Sequence, residues 1–211
     1  MGRQRVRIEE PYNPLDKKNL GISVADALLA RAVEPLPPGE AFLGAGVYAI
    51  YYVGDYPAYL PVAARNKKGK FEVPIYVGKA VPPGARKGGL LTPAPTQALC
   101  NRLSEHADSI KQATNLDGKD FYCRYLAVDD IWIPLGEALM IERFSPLWNK
   151  VIDGFGIHDP GRGRYEQQRS LWDVLHPGRG FAEKLKAGKL TEQQILERVR
   201  KATADITPPG S

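Results

Sequence analysis

The chain has 211 residues, 43% of them hydrophobic, which is enough for a packed globular domain and excludes a disordered chain. No apolar run approaches the roughly 20 residues needed to cross a bilayer, and the polar start of the sequence predicts no signal peptide. The net charge is +5 and the pI about 9.1, which permits an anionic partner without requiring one. We therefore expect a soluble, cytosolic protein.

Three aromatic and β-branched segments predict short strands, at residues 44–53, 72–77 and 121–128. Pro74 places the start of the second strand at a sheet edge or a bulge, because proline cannot donate a ladder hydrogen bond. The polar, Gly- and Lys-rich residues 54–71 are predicted to be irregular. A long Gly- and Pro-rich loop follows the second strand, as is typical of functional or disordered segments.

Helical patterns alternate with these strands. A helix of about ten residues is predicted from Ser23, an amphipathic helix over 96–114, a helix opened by Pro134 and ending near Phe144, and two short helices near 180–187 and 191–204. Thr191 and Gln194 form a predicted capping box. The sequence thus predicts an α/β fold with a small, three-stranded, mainly antiparallel sheet flanked by helices, with long loops and a C-terminal extension.

We expect one structural domain with three regions. Residues 1–43 form an N-terminal arm and helix that pack on the core, 44–149 form the core with basic insertions, and 150–211 form a C-terminal extension. Cys100 and Cys123 lack metal-binding spacing and are expected to be buried free thiols.

Two tyrosines lie beside glycines on neighbouring predicted strands, in Gly46-Val-Tyr48 and Tyr76-Val-Gly78-Lys79. Each triplet alone is consistent with ordinary strand tyrosines. A glycine in a strand also admits the close approach of a ligand backbone, so the two triplets together indicate a site.

A basic pair lies on the predicted helix after the long loop. Arg102 and His106 are four residues apart and therefore share one helix face. The pair is also consistent with an ordinary solvent-exposed helix face that has no catalytic role. Hydrolysis of a phosphodiester, however, needs a cation on the phosphate and a proton carrier near the attacking water, and this pair can supply both.

A carboxylate follows near the start of the next helix. Glu137 can interact with the helix dipole there, or it can bind Mg²⁺, which prefers oxygen ligands. Glu142, five residues later on the same predicted helix, is the alternative candidate for the metal ligand. The segment ends in Ser-Pro146-Leu-Trp-Asn149.

This ordered set resembles the GIY-YIG nuclease superfamily over residues 44–149. The two Tyr-containing triplets match its signature motifs with Val for Ile, and the insertion between them is longer than in the minimal family. Arg102 matches the helical arginine, Glu137 the metal-binding glutamate and Asn149 the closing asparagine. The alignment to the family ending places Glu137, and not Glu142, at the ligand position.

The Arg-x-x-x-His arrangement and the segment from Gly154 to Arg179 resemble the type II restriction endonucleases of this superfamily that cut GC-rich palindromes as dimers. The resemblance implies double-stranded DNA as substrate, a CCGCGG-like site, a homodimer, a cognate DNA methyltransferase, and Mg²⁺ with Mn²⁺ as a substitute. It implies 5′-phosphate and 3′-hydroxyl products and a location in the bacterial cytoplasm. It also implies that the extension at 150–211 serves DNA binding or dimer contact.

The resemblance also implies a catalytic role for each matched residue. Tyr48 acts as general base or orients the water, and His106, Lys79 or another cation takes up or compensates its proton. Tyr76 hydrogen-bonds the phosphate or the water, and Arg102 binds the non-bridging oxygens. Glu137 holds a single metal ion, and Asn149 orders the site.

Basic loop residues are the predicted DNA contacts, lysines on phosphates and some arginines on guanines. They are Lys67, Lys68, Lys70, Arg86, Lys87, Arg162, Arg164, Arg169 and Arg179. His158 and His176 have no metal spacing and are expected to be structural. Two alternatives remain open: a repair or mobile-element nuclease with the same core, and a catalytically inactive DNA-binding module.

Overall fold

The computed structural model describes residues 12–82, 96–204 and 206. Its sheet has four antiparallel strands, in the order β1 (Glu34–Pro35), β4 (Phe121–Ala127), β2 (Gly46–Tyr52) and β3 (Tyr76–Ala80). The predicted α/β class and antiparallel arrangement are confirmed. The predicted count of three strands is wrong, because the two-residue β1 pairs with β4 and is too short to give a periodic signal.

The central strand β2 is buried along its whole length. Successive side chains of a strand point to opposite faces, so Tyr48, Ile50 and Tyr52 join one apolar cluster while Val47, Ala49 and Tyr51 join the other. Both faces are therefore covered, which explains why this segment is continuously apolar and does not alternate with polar residues.

Seven α-helices lie in the described part of the chain. They are α1 (Lys17–Leu29), α2 (Leu60–Asn66), α3 (Ala98–Gln112), α4 (Ile133–Phe144), α5 (Leu147–Lys150), α6 (Leu171–Leu175) and α7 (Glu192–Thr203), with 3₁₀ turns at Pro57–Tyr59, Gly118–Asp120, Asp130–Trp132, Arg162–Arg164 and Ala182–Lys184. Helix α3 lies within its predicted range, α4 begins one residue before Pro134, and the capping box of α7 is present.

Several helices differ from the prediction. Helices α5 and α6 were not predicted, and the helix expected near 180–187 is only a 3₁₀ turn at Ala182–Lys184. Helix α1 begins six residues before Ser23, because the side chain of Asp16 accepts a hydrogen bond from the Lys18 backbone and caps the helix. Helix α2 lies within 54–71, which was predicted to be irregular, and buries Val62 and Ala63.

The C-terminal extension packs directly on the core. Trp148 of α5 and Trp172 of α6 are buried, and their ring centroids lie 5.7 Å apart at near-perpendicular planes. Cys100 and Cys123 are free thiols, as predicted, although only Cys123 is fully buried. None of the helices in the described ranges has the length and apolar character required to cross a lipid bilayer.

Candidate active site

The two signature tyrosines lie on adjacent strands, and a glycine makes their arrangement possible. Tyr48 of β2 is directly opposite Gly78 of β3. A Cβ atom at Gly78 would lie 2.3 Å from the Tyr48 hydroxyl oxygen, so only glycine leaves room for the phenol. We expected this glycine to admit a ligand backbone. In the structure the group that it admits is Tyr48.

Tyr48 pairs with His106 of α3. The Tyr48 hydroxyl oxygen lies 2.6 Å from His106 Nε2, and the two residues are 0% and 2% exposed. Burial raises the pKa of Tyr48 well above its usual value, and burial, followed by the charge of Arg102, lowers the pKa of His106 well below its usual value. At neutral pH the site thus holds a protonated phenol beside a neutral imidazole.

Arg102 lies one helical turn before His106 and is held by three groups. Its Nη2 donates to the Gly156 carbonyl at 2.8 Å, and its Nη1 donates to Glu105 at 3.0 Å and also contacts His158. His158, which we expected to be structural, thus lies in the site. The guanidinium remains partly exposed, with 21% of its side-chain surface accessible.

Tyr76, which is partly buried, packs against both Tyr48 and His106. Its ring centroid lies 6.3 Å from that of Tyr48 and 5.2 Å from that of His106. Asn149 fixes the strand next to Tyr76: its side chain accepts from the Val77 amide and donates to the Val77 carbonyl, both at 2.8 Å. This side chain therefore pairs with the edge strand β3 in the manner of a neighbouring strand, and it holds Tyr76 in place.

Glu137 of α4 faces the other side of the edge strand. Its Oε2 lies 2.5 Å from Lys79 Nζ, and its negative charge raises the pKa of both Tyr48 and Tyr76. Glu142 is exposed on the same helix. The structure therefore brings Glu137, Lys79 and the two tyrosines to one edge of the sheet.

The family assignment agrees with this geometry. A family model described as the Eco29kI GIY-YIG domain matches residues 40–203, which is most of the chain and includes every residue of the group above. The chain belongs to the Eco29kI GIY-YIG family. A search of curated proteins found no match.

As an Eco29kI-type GIY-YIG protein, the chain is a restriction-type DNA endonuclease. The oxygen and nitrogen side chains of the site suit a metal ion that needs few protein ligands. In the described ranges no three His, Cys, Asp or Glu side chains converge on one point, and Glu137 supplies a partly exposed carboxylate. Mg²⁺ commonly binds through one or two carboxylates and takes its other ligands from water and substrate phosphate, so the residues present fit it.

The predicted DNA contacts of this Eco29kI-type protein differ in their solvent exposure and in their partners within the chain. Lys67, Lys68, Lys70 and Arg164 are exposed, and Arg169 is partly exposed. Lys67 pairs with Asp55 at 2.7 Å, and Arg169 Nε donates to the Ala182 carbonyl at 3.0 Å. Arg86, Lys87 and the side chain of Arg162 lie outside what the structure describes. All of these contacts stay predictions.

Arg179 must be removed from the predicted DNA contacts. Its side chain is 1% exposed and forms an ion pair at 2.7 Å with Asp173, which is equally buried. Because its guanidinium is enclosed and fully bonded within the chain, it cannot reach a base or a phosphate. No local pattern predicts this ion pair, since Asp173 and Arg179 are ordinary charged residues in a Gly- and Arg-rich segment.

Sequence reasoning also missed two residues of the Eco29kI-type site. Phe155 stacks on His106, with ring centroids 4.5 Å apart and an interplanar angle of 15°. A Cβ atom at Gly156 would lie 2.9 Å from the Tyr76 hydroxyl oxygen and 3.0 Å from Arg102 Nη2. Both residues lie in an irregular segment with no periodicity, so only the family-like run Gly154-Phe-Gly-Ile-His158 could have indicated them.

Proposed function

We propose that this chain is a type II restriction endonuclease that hydrolyses phosphodiester bonds of double-stranded DNA at a palindromic site. The observation that carries the proposal is the buried hydrogen bond between Tyr48 and His106 beside Arg102. A general base, its proton acceptor and a cation for the phosphate are thereby adjacent.

The proton path follows from the two pKa shifts. Tyr48 cannot act as a free phenolate, because burial raises its pKa well above the usual value of 10.0. His106 stays neutral because burial lowers its pKa. We propose that the Tyr48 oxygen accepts a proton from the attacking water while its own proton passes to His106 Nε2. Lys79 is less suited to this role, because its ammonium is paired with Glu137.

Arg102 is the group that must move when DNA binds. Tyr48 has no exposed surface, and the Arg102 guanidinium, whose charge acts to lower the pKa of Tyr48, is held by the Gly156 carbonyl. We propose that the guanidinium turns towards the phosphate, where it binds the non-bridging oxygens and uncovers the Tyr48 hydroxyl for the water. The phosphate charge then offsets the positive charge that develops on His106, and Tyr76 hydrogen-bonds the phosphate or the water.

Glu137 would hold the metal ion, Mg²⁺ or Mn²⁺. When bound, such an ion supplies Lewis acidity at the phosphate and the leaving 3′ oxygen. Lys79 would be displaced from the carboxylate or remain beside it, and Asn149 would keep β3 and Tyr76 in register. With Glu137 as the carboxylate ligand, we propose a one-metal reaction that leaves 5′-phosphate and 3′-hydroxyl ends.

Sequence recognition is proposed for the basic loops. An arginine bidentate to guanine is the commonest specific contact in the major groove, and Arg164 is exposed. We propose a GC-rich, CCGCGG-like palindrome read by a homodimer, since a two-fold dimer presents one active site to each strand. A DNA methyltransferase of the same specificity would protect the host DNA.

The test is incubation of the purified protein with plasmids that contain or lack CCGCGG, with Mg²⁺ or with EDTA, beside a Tyr48→Phe variant. Discrete fragments from wild type that disappear with EDTA support the proposal, and fragments from the first plasmid alone identify the site. Structure-dependent nicking would indicate a repair-type nuclease. A band shift without cleavage would indicate a binding module, and either outcome would overturn the proposal.

A further inference from the structure

The segment Gly154–Ile157 has no regular secondary structure, yet it lies against the active site. Phe155 stacks on His106 and also packs on Tyr76 at a centroid distance of 5.0 Å. The Gly156 carbonyl accepts from Arg102 at 2.8 Å. A small shift of this segment would therefore displace the proton acceptor and the phosphate-binding cation together.

Arg179 fixes the position of that segment. Its guanidinium donates to three backbone carbonyls of the segment: those of Gly154 at 2.9 Å, Phe155 at 3.0 Å and Ile157 at 3.0 Å. The Gly154 backbone has a φ of +103°, and a Cβ there would lie 2.1 Å from Ser170. The segment thus begins in a conformation that favours glycine and is then held by one side chain.

Asp173 holds Arg179 in turn. Its two carboxylate oxygens accept from Arg179 Nε at 2.7 Å and Nη2 at 2.8 Å, and the guanidinium also lies over the Trp172 ring at 4.6 Å. A buried ion pair contributes little net stability compared with an apolar replacement, because desolvation of both charges offsets their attraction. Stability alone therefore does not account for a buried ion pair whose guanidinium also donates to three carbonyls of this segment.

We infer that the Arg179–Asp173 pair is a positioning element of the active site, which acts by fixing Gly154–Ile157 so that Gly156 holds Arg102 and Phe155 holds His106. This inference rests on the proposed function for its catalytic consequence. Arg179 itself does not touch the DNA. Its replacement should reduce the rate of the bound complex much more than the affinity for DNA.

The chain offers a matched control in Arg124 of β4. Its guanidinium also holds backbone, at the carbonyls of Arg31 (3.0 Å) and Phe71 (2.9 Å), and it donates to the Tyr51 hydroxyl at 2.9 Å. Tyr51 belongs to the apolar cluster on the opposite face of the sheet from Tyr48. Arg124→Met thus removes a similar set of bonds away from the site.

The experiment compares Arg179→Met, Arg179→Lys, Asp173→Asn and Arg124→Met with wild type, each at a temperature where circular dichroism shows it folded. We expect kcat for duplex cleavage to fall about tenfold or more for Arg179→Met, since small misplacements of catalytic groups are costly, with KM changed less than threefold. Arg179→Lys should recover part of the rate, and Arg124→Met should lose thermal stability with kcat within about twofold of wild type.

A second readout does not depend on cleavage. The ¹⁵N signals of the His106 ring and the Arg102 guanidinium should shift in Arg179→Met and Asp173→Asn and stay in place in Arg124→Met. If Arg179→Met does not fold, Gly156→Ala tests the same segment and should shift the same signals. Unmoved signals, or an Arg179→Met enzyme with wild-type kcat, would overturn the inference. Shifted signals in a protein that cleaves no DNA would support it and overturn the proposed function instead.

Discussion

Lys79 Nζ lies 2.5 Å from Glu137 Oε2, and this pair joins the edge strand β3 to helix α4. The carboxylate that we propose as the metal ligand is therefore already neutralised by a cation. A divalent ion must displace the ammonium or share the carboxylate with it, so the ion pair opposes metal binding in the absence of DNA.

Replacement of Lys79 should therefore strengthen metal binding. We expect Lys79→Met to bind Mn²⁺ up to about fivefold more tightly in calorimetry without DNA, because a partly exposed ion pair contributes ~0.2–1 kcal/mol. Lys67→Met is the control, since Lys67 pairs with Asp55 instead. Weaker binding by Lys79→Met would show that the lysine supports the metal site and does not compete for it.

The two glutamates of α4 should differ sharply in their importance. Glu137→Gln keeps the shape of the side chain but removes its charge, so cleavage should fall on the order of 100-fold or more through loss of the metal's charge stabilisation. Glu142→Gln is the matched control on the same helix and should cleave at nearly the wild-type rate. The reverse pattern in single-turnover assays would move the metal ligand to Glu142.

Gly78 should not tolerate even one methyl group. Alanine at this position would place Cβ 2.3 Å from the Tyr48 hydroxyl oxygen, so the phenol must move and lose its bond to His106. We expect about a 100-fold loss of cleavage from this displacement. Gly39→Ala has no atom within 4 Å of its Cβ and should cleave normally. Equal activity of the two variants would contradict the account of the Tyr48 position.

Stability should depend on pH through a second buried histidine. His176 Nδ1 donates to the Asn115 side-chain oxygen, its Nε2 accepts from the Tyr59 hydroxyl at 2.5 Å, and burial lowers the pKa of His176 to about 3. Between about pH 6.5, the usual value of an unfolded histidine, and pH 3 the unfolded chain binds a proton that the folded chain does not, so stability falls as pH falls. His176→Gln should reduce this slope by up to about 1.4 kcal/mol per pH unit.

The measurement is the free energy of unfolding by urea from pH 7 to pH 4 for both proteins. His106 has a lowered pKa as well, so the variant should retain a shallower slope of the same sign. Parallel curves of unfolding free energy against pH for wild type and His176→Gln would contradict this prediction, because they would show that His176 binds its proton equally in the folded and unfolded chains.

Local patterns located the strands that carry the tyrosines and the helices that carry Arg102, His106 and Glu137, because apolar runs and helical spacing reflect burial directly. The second strand was placed too early, since it begins at Tyr76 and ends at Ala80. Helix α2 was missed, since its buried residues Val62 and Ala63 are followed by a Gly- and Lys-rich turn that dominates the composition. The roles of Phe155, Gly156 and Arg179 arise from contacts between residues distant in sequence, which no local pattern encodes.

Tyr48 and His106 are proposed to act as one unit in the cleavage of DNA. The most direct test of this claim is the single-turnover rate of Tyr48→Phe, His106→Gln and the double variant on a cleavable duplex. Each single change should reduce the rate by roughly 10²–10⁴-fold. The double variant should be no slower than the slower single variant, because removal of either residue already abolishes the proton transfer that needs both. Losses that multiply in the double variant would show that the two residues act independently and would contradict the account.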